Sequence, residues 1–107
     1  MTHTLTQADN NKSFEMHLGD IIVLTLEENP TTGYRWAIDK MNESILKLLS
    51  SDYAFAAGGG IGGGGERKLT FKANQSGTTL ISLKLWREWE GDTSISNRYQ
   101  VNVSVNN

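Results

Sequence analysis

The chain has 107 residues, 37% hydrophobic and 21% charged, a balance that favours a folded globular domain over disorder. Its net charge of −2 comes from interspersed acids and bases, and no basic block offers the positive face that nucleic acid requires. With no cysteine, disulfides, thiolate chemistry and cysteine-ligated zinc are excluded, and no apolar run reaches the roughly 18 residues of a membrane-spanning helix.

The length fits one domain over residues 1–107. Met1-Thr2-His3-Thr4-Leu5-Thr6-Gln7 has neither a basic region nor an apolar core of the kind a secretory leader carries. As written, this start predicts a cytosolic protein, although a leader already removed would leave no trace. A first strand is expected within residues 2–7, and Asp9-Asn10-Asn11 signals a turn. Phe14, Met16 and Leu18 alternate with polar neighbours, as in a half-buried strand, which points His17 to solvent. Ile21-Ile22-Val23-Leu24-Thr25-Leu26 is apolar on both faces as far as Leu24, so at least part of this strand is expected to be covered on both sides.

Asn29-Pro30-Thr31-Thr32-Gly33-Tyr34 follows, and it holds the only proline of the chain. Proline fixes its own φ and drives Asn29 towards an extended conformation. Gly33 offers a backbone position where φ > 0 meets no Cβ, and the two threonines between are stiff at χ1. A connecting turn needs fewer special residues. Beyond it, Tyr34, Trp36 and Ile38 share one face of the next strand. Ile45, Leu48 and Leu49 have helical spacing, and Asn42 or Ser44 could cap, so a single helical turn is expected within residues 42–49. Residues 50–57, with Tyr53 and Phe55, read as a short edge strand. A glycine tract occupies residues 58–65. Leu69, Phe71 and Ala73 then point inward, residues 74–78 turn, and Ile81, Leu83 and Leu85 line one face of a strand over residues 80–87. Tyr99, Val101, Val103 and Val105 alternate with polar residues in the last strand.

Short alternating strands separated by turns predict an all-β fold, here an immunoglobulin-like antiparallel β-sandwich of seven to eight strands. With strands lettered B to G from Ile21 onward, the B–C loop (residues 29–33), the D–E loop (58–65) and the F–G loop (87–94) are each two strands apart. All three are expected at one end, where a rigid scaffold can assemble loops into a binding surface.

Catalysis finds little support. His3 and His17 are the only histidines and lie away from these loops, so a metal site lacks its usual donors. Glu27-Glu28, Glu88, Glu90 and Asp92 include possible acid–base pairs, but charges at strand ends are normally just solvated. Gly60, Gly62 and Gly65 formally satisfy G-x-G-x-x-G, yet residues 68–73 read as a strand where a dinucleotide motif needs a helix. Ordering each glycine costs about 1–2 kcal/mol of backbone entropy. A use that justifies this is bare backbone lying against another protein, with Ile61 as one apolar contact. In the third loop, strand parity puts Arg87 on the face of Leu83 and Leu85, while Trp89 falls beyond the strand. An exposed tryptophan beside an arginine is the composition of an interface hot spot.

Together the three loops resemble those of the chagasin-like inhibitors of papain-type cysteine peptidases, and the resemblance spans nearly the whole chain. Asn29, Pro30, Thr31, Thr32, Gly33 and Tyr34 match the family's N-P-T-T-G-Y loop at every position. Gly60, Ile61, Gly62, Gly63, Gly64 and Gly65 are similar to its glycine-rich loop, with Ile61 where a large aliphatic is usual. Arg87-Glu88-Trp89 resembles R-P-W, but Glu88 replaces the proline, removing a rigid φ and adding a negative charge. The resemblance implies a reversible, non-covalent, tight-binding inhibitor with no catalytic residue, metal or cofactor. Thr31 and Thr32 would cover the peptidase nucleophile, residues 60–65 would lie backbone to backbone along one wing of the cleft, and Arg87 and Trp89 would pack on the other. The implied partners are peptidases of the papain, cathepsin L and cathepsin B type, with no nucleic acid or membrane and a monomeric free state. An adhesion or ligand-binding module that uses the same loops for a non-peptidase partner is the alternative from the residues alone. An enzyme ranks third.

Overall fold

The computed structural model describes residues 1–29, 32–55 and 65–107, with Phe55 described by its backbone alone. Period-two alternation becomes strand wherever the sequence showed it, because one face can then be buried while every backbone group pairs with a neighbour. The strands are β1 (Thr2–Leu5), β2 (Ser13–His17), β3 (Ile21–Glu28), β4 (Arg35–Lys40), β5 (Leu46–Phe55), β6 (Gly65–Ala73), β7 (Gly77–Trp86) and β8 (Asn97–Asn106). They form two four-stranded sheets, ordered β1-β3-β6-β5 and β2-β8-β7-β4. The core between them takes Ile22, Leu24, Leu26, Leu46, Leu69 and Phe71 from the first sheet, and Met16, Trp36, Ile81, Leu83, Tyr99, Val101 and Val103 from the second.

The sandwich and its eight strands agree with the sequence reading, but the sheets are mixed rather than antiparallel. β1 runs parallel to β3, and β2 parallel to β8. The cause is a crossing of the N-terminal chain from one sheet to the other. Thr6 and Asp9 form a reciprocal capping box around the 3-10 turn Gln7–Asp9, and Asn11 takes φ 66°. The Gln100 backbone bonds Asn10 and Asn11, and the buried Tyr99 hydroxyl donates to the Thr6 carbonyl at 2.9 Å. Burial and nearby Asp9 push the Tyr99 hydroxyl pKa up to about 12.

Other expectations shift for local reasons. A hydrogen-bonded turn does close on Asn42, whose Oδ1 accepts from the Ser44 N–H, but Leu46 already begins β5. The apparent helical spacing arises from a β-bulge, since register slips between Leu48 and Ser50 and leaves Leu48 and Leu49 at the surface. Residues 50–55 do belong to an edge strand, but one of ten residues; Ala56 and Ala57 lie outside the described set. Leu18 falls past the end of β2 and is exposed. In β3, Ile22 and Leu24 are fully buried, while Ile21 and Val23 are half-buried, so its outer face is not covered by a further layer. Tyr34 precedes β4, leaving Trp36 and Ile38 on the inward face.

In the turn between β2 and β3, Asp20 is buried and gathers three donors. It takes the Met1 ammonium at 3.2 Å, His3 Nε2 at 2.9 Å and the His17 N–H at 3.0 Å. The His17 ring itself is exposed, as expected. These donors, the His3 bond first, hold the Asp20 carboxyl well below the usual carboxylate range. Because the folded-state pKa is the lower one, the stabilisation is complete above about pH 4, the unfolded value. It is lost as pH falls below that, where the unfolded chain binds the proton first. The urea midpoint of the native chain should therefore drop more steeply between about pH 4 and pH 2 than that of Asp20→Asn. Parallel curves would show that other carboxylates govern acid unfolding.

Candidate functional site

Cross-strand register gathers the ends of all three loops. Glu28, the last residue of β3, pairs with Gly65, and Gly65 pairs in turn with Phe55. Arg35, the first residue of β4, pairs with Trp86, the last of β7. The strand ends that bracket residues 29–34, 56–64 and 87–96 thus lie at the same end of the sandwich. Pro30, Thr31, Gly60, Ile61, Gly62, Gly63 and Gly64 lie outside the described residues.

The described part of the first loop folds back on itself. The Thr32 N–H and Oγ1 both bond the Asn29 carbonyl, at 3.3 and 2.8 Å, and Gly33 takes φ 79°. Positive φ alone favours glycine here, and packing adds a second reason. A Cβ on Gly33 would lie 2.5 Å from Cη2 of Trp89, so the indole edge rests on a bare backbone. Trp89 is nonetheless 70% exposed, the one aromatic among the exposed large hydrophobics of the described residues.

Arg87 joins the first loop to the third. Its Nε donates to the Thr32 carbonyl at 3.1 Å, its guanidinium lies 4.6 Å over the Tyr34 ring, and Nη1 meets Glu90 at 3.2 Å. The third loop forms a kinked 3-10 segment, Glu88–Ser94, with Gly91 at φ 75°. Ser94, buried at its end, closes the loop: Oγ accepts the Arg87 N–H at 2.9 Å and donates to the Gly91 carbonyl at 2.7 Å. Arg87 keeps the extended conformation that a following proline would impose, although Glu88 stands there. Lys84, under the far side of this loop, pairs with Asp92 at 3.1 Å. Ser94 gave no signal in the sequence, since an isolated serine in a polar loop is unremarkable.

At the base of the first loop, the sequence reading misjudged Glu28. The side chain is not solvated; only 1% of it is exposed. Its Oε1 accepts the Trp36 N–H at 2.7 Å, and its Oε2 meets Arg67 Nη2 at 2.7 Å. The Trp36 indole donates to the Glu27 carbonyl at 2.9 Å. Gly65, expected in the contact loop, is instead buried in the sheet, where a Cβ would collide with the Ala54 carbonyl and the Tyr53 ring. Its glycine identity therefore has a packing cause. The histidines lie elsewhere: His3 pairs with Ile22, near the opposite end of β3 from Glu28.

Gly33→Ala should cost about 1–3 kcal/mol through its backbone strain. It should also dislodge the indole, read as a shift in tryptophan emission together with a lower urea midpoint. Unaltered emission would show that Trp89 does not rest on Gly33 in solution.

Residues 15–103 match the model of the family described as "Chagasin family peptidase inhibitor I42". The chain is 27% identical to chagasin of Trypanosoma cruzi over 111 aligned residues, which cover 99% of this chain and all of that one. Its fold is similar to the crystal structure of the cysteine protease inhibitor EhICP2 from Entamoeba histolytica, with a TM-score of 0.82, 24% identity and 97% and 94% of the two chains covered. A more distant likeness is to PbICP-C, solved in complex with falcipain-2, at a TM-score of 0.64, 18% identity and coverage of 96% and 98%. With a family match over most of its length and the loop ends gathered at one tip, the chain belongs to the chagasin family of peptidase inhibitors.

Proposed function

We propose that this chagasin-family cysteine peptidase inhibitor acts by placing its three loops together in the active-site cleft of a papain-like enzyme, reversibly and without a covalent bond. The observation that carries this reading is the Arg87 bridge. It ties the Thr32 carbonyl and Tyr34 ring of one loop to Glu90 of another, and sets an exposed indole beside a threonine turn. Loops already joined in the free molecule lose little conformational freedom on docking, which is how a standard interface of about 800 Å² per partner becomes tight. Thr31 and Thr32 serve as the central wedge over the nucleophile, Asn29, Pro30, Gly33 and Tyr34 as its frame, and Arg87 and Trp89 as one wing. Residues 60–64 supply the other. Gly65 belongs to the support beneath them.

The chain itself is read as non-catalytic. The peptidase-inhibitor family to which it belongs is in keeping with that reading. EhICP2 is described as a cysteine protease inhibitor and PbICP-C was captured with falcipain-2, in keeping with a target of this class.

Titrating papain with the chain should leave activity proportional to the enzyme not yet complexed; full activity at equimolar inhibitor would overturn the reading. Trp89→Ala should weaken binding by about 2 kcal/mol, roughly thirtyfold. Thr31→Ala combined with Thr32→Ala should also weaken binding, with the urea midpoint unchanged. Undiminished inhibition by both variants would move the contact to other residues. A panel of papain, cathepsin L and cathepsin B ranks the targets.

A further inference from the structure

We infer that Glu28 is a positioning residue, whose buried carboxylate sets the first loop against the strand that follows the glycine tract, so that the two loop bases meet the peptidase as one preset unit. The inference rests on the functional reading above. Glu28 immediately precedes the first loop and Trp36 lies just beyond it, so the carboxylate spans the loop's two ends through the Trp36 N–H. Arg67 stands two residues after Gly65, and its guanidinium holds the same carboxylate through Nε and Nη2, at 3.1 and 2.7 Å to Oε2. Arg67 continues outward to the Ser51 hydroxyl at 3.3 Å and lies 5.8 Å from the Tyr53 ring centroid. Tyr53 in turn covers Gly65. One acid therefore connects β3, β4 and β6 where two loops begin and end.

Stability alone is a weak reason for such a group. A buried ion pair spends most of its attraction on desolvation, and well-packed apolar residues of similar size commonly hold a fold as well or better. What apolar residues cannot supply is direction. A guanidinium held through Nε and Nη2 against one carboxylate oxygen, with a backbone N–H on the other, restricts the relative placement of the strands it joins. Methionine pairs would fill the space and leave the loop ends free to shift.

The test is Glu28→Met combined with Arg67→Met, in the full chain, with the association rate to papain and amide exchange measured separately. The expected result is a folded protein whose association slows about tenfold, because docking then requires a prior rearrangement. Exchange of the Thr32 and Trp36 amides should quicken while Leu24 and Val103 stay protected. Arg67→Lys, which keeps the charge but loses the fork, should give an intermediate slowing, and it carries the test if the double variant does not fold. A purely structural role would lower the melting temperature and leave the association rate of the folded molecule untouched. Wild-type association, or wild-type exchange at Thr32, would overturn the inference. If the native chain does not slow papain, the functional reading falls, and exchange at Thr32 still decides whether the clamp orders the loop.

Discussion

Gly65 has Glu28 on one side and Phe55 on the other, and that register governs the loop end of the molecule. A slip of one residue would send every inward side chain of β6 to the opposite face. Arg67 would leave Glu28, Leu69 and Phe71 would enter water, and the strand ends bracketing two loops would no longer be level. The register is held from two directions. Leu69 and Phe71 must remain in the core, and only a residue without a Cβ fits beneath the Tyr53 ring. The hydrophobic effect and steric exclusion thus specify the same alignment, which brings Arg67 within reach of Glu28.

Charged side chains then divide into two kinds of use. Arg67 and Arg87 are structural connectors, each joining elements far apart in sequence through directed hydrogen bonds. Arg98 meets Asp39 on the outer face of the second sheet at 3.1 Å, where water screens the attraction and the contribution to stability is small. In the third loop, hydrogen bonding performs what covalent rigidity performs elsewhere. Where the R-P-W pattern has a ring to restrict the backbone, this chain has the Ser94 hydroxyl bonded across the loop. Glu88 can therefore stand in the proline's place with the turn still closed.

Most of the architecture was legible because it follows from period-two patterning: Ile81 and Leu83, or Val101 and Val103, have no other consistent placement than a buried sheet face. Helical spacing at Ile45, Leu48 and Leu49 misled because a bulge inserts one residue and thereby imitates a change of period. The parallel N-terminal strands were hidden, since strand direction depends on which sheet receives the chain and alternation does not encode that. At the candidate site, the special residues of the first loop and the exposed Trp89 were visible by type. Glu28 and Ser94 were not, because a carboxylate or hydroxyl at a strand end looks the same in sequence whether it meets water or a guanidinium. Gly65 was read as loop from its glycine neighbours in sequence, whereas it pairs with Glu28 and Phe55 in the sheet.

The outermost strands have one more consequence. β1 and β2 are four and five residues long, and the opposite borders, β4 and β5, each carry a register irregularity, at Ile38/Lys40 and Leu48/Ser50. Short or kinked margins are poor templates for adding another strand. The molecule is thereby discouraged from growing sideways into fibrils through its backbone, and can remain dispersed while keeping a large share of its chain in extended conformation.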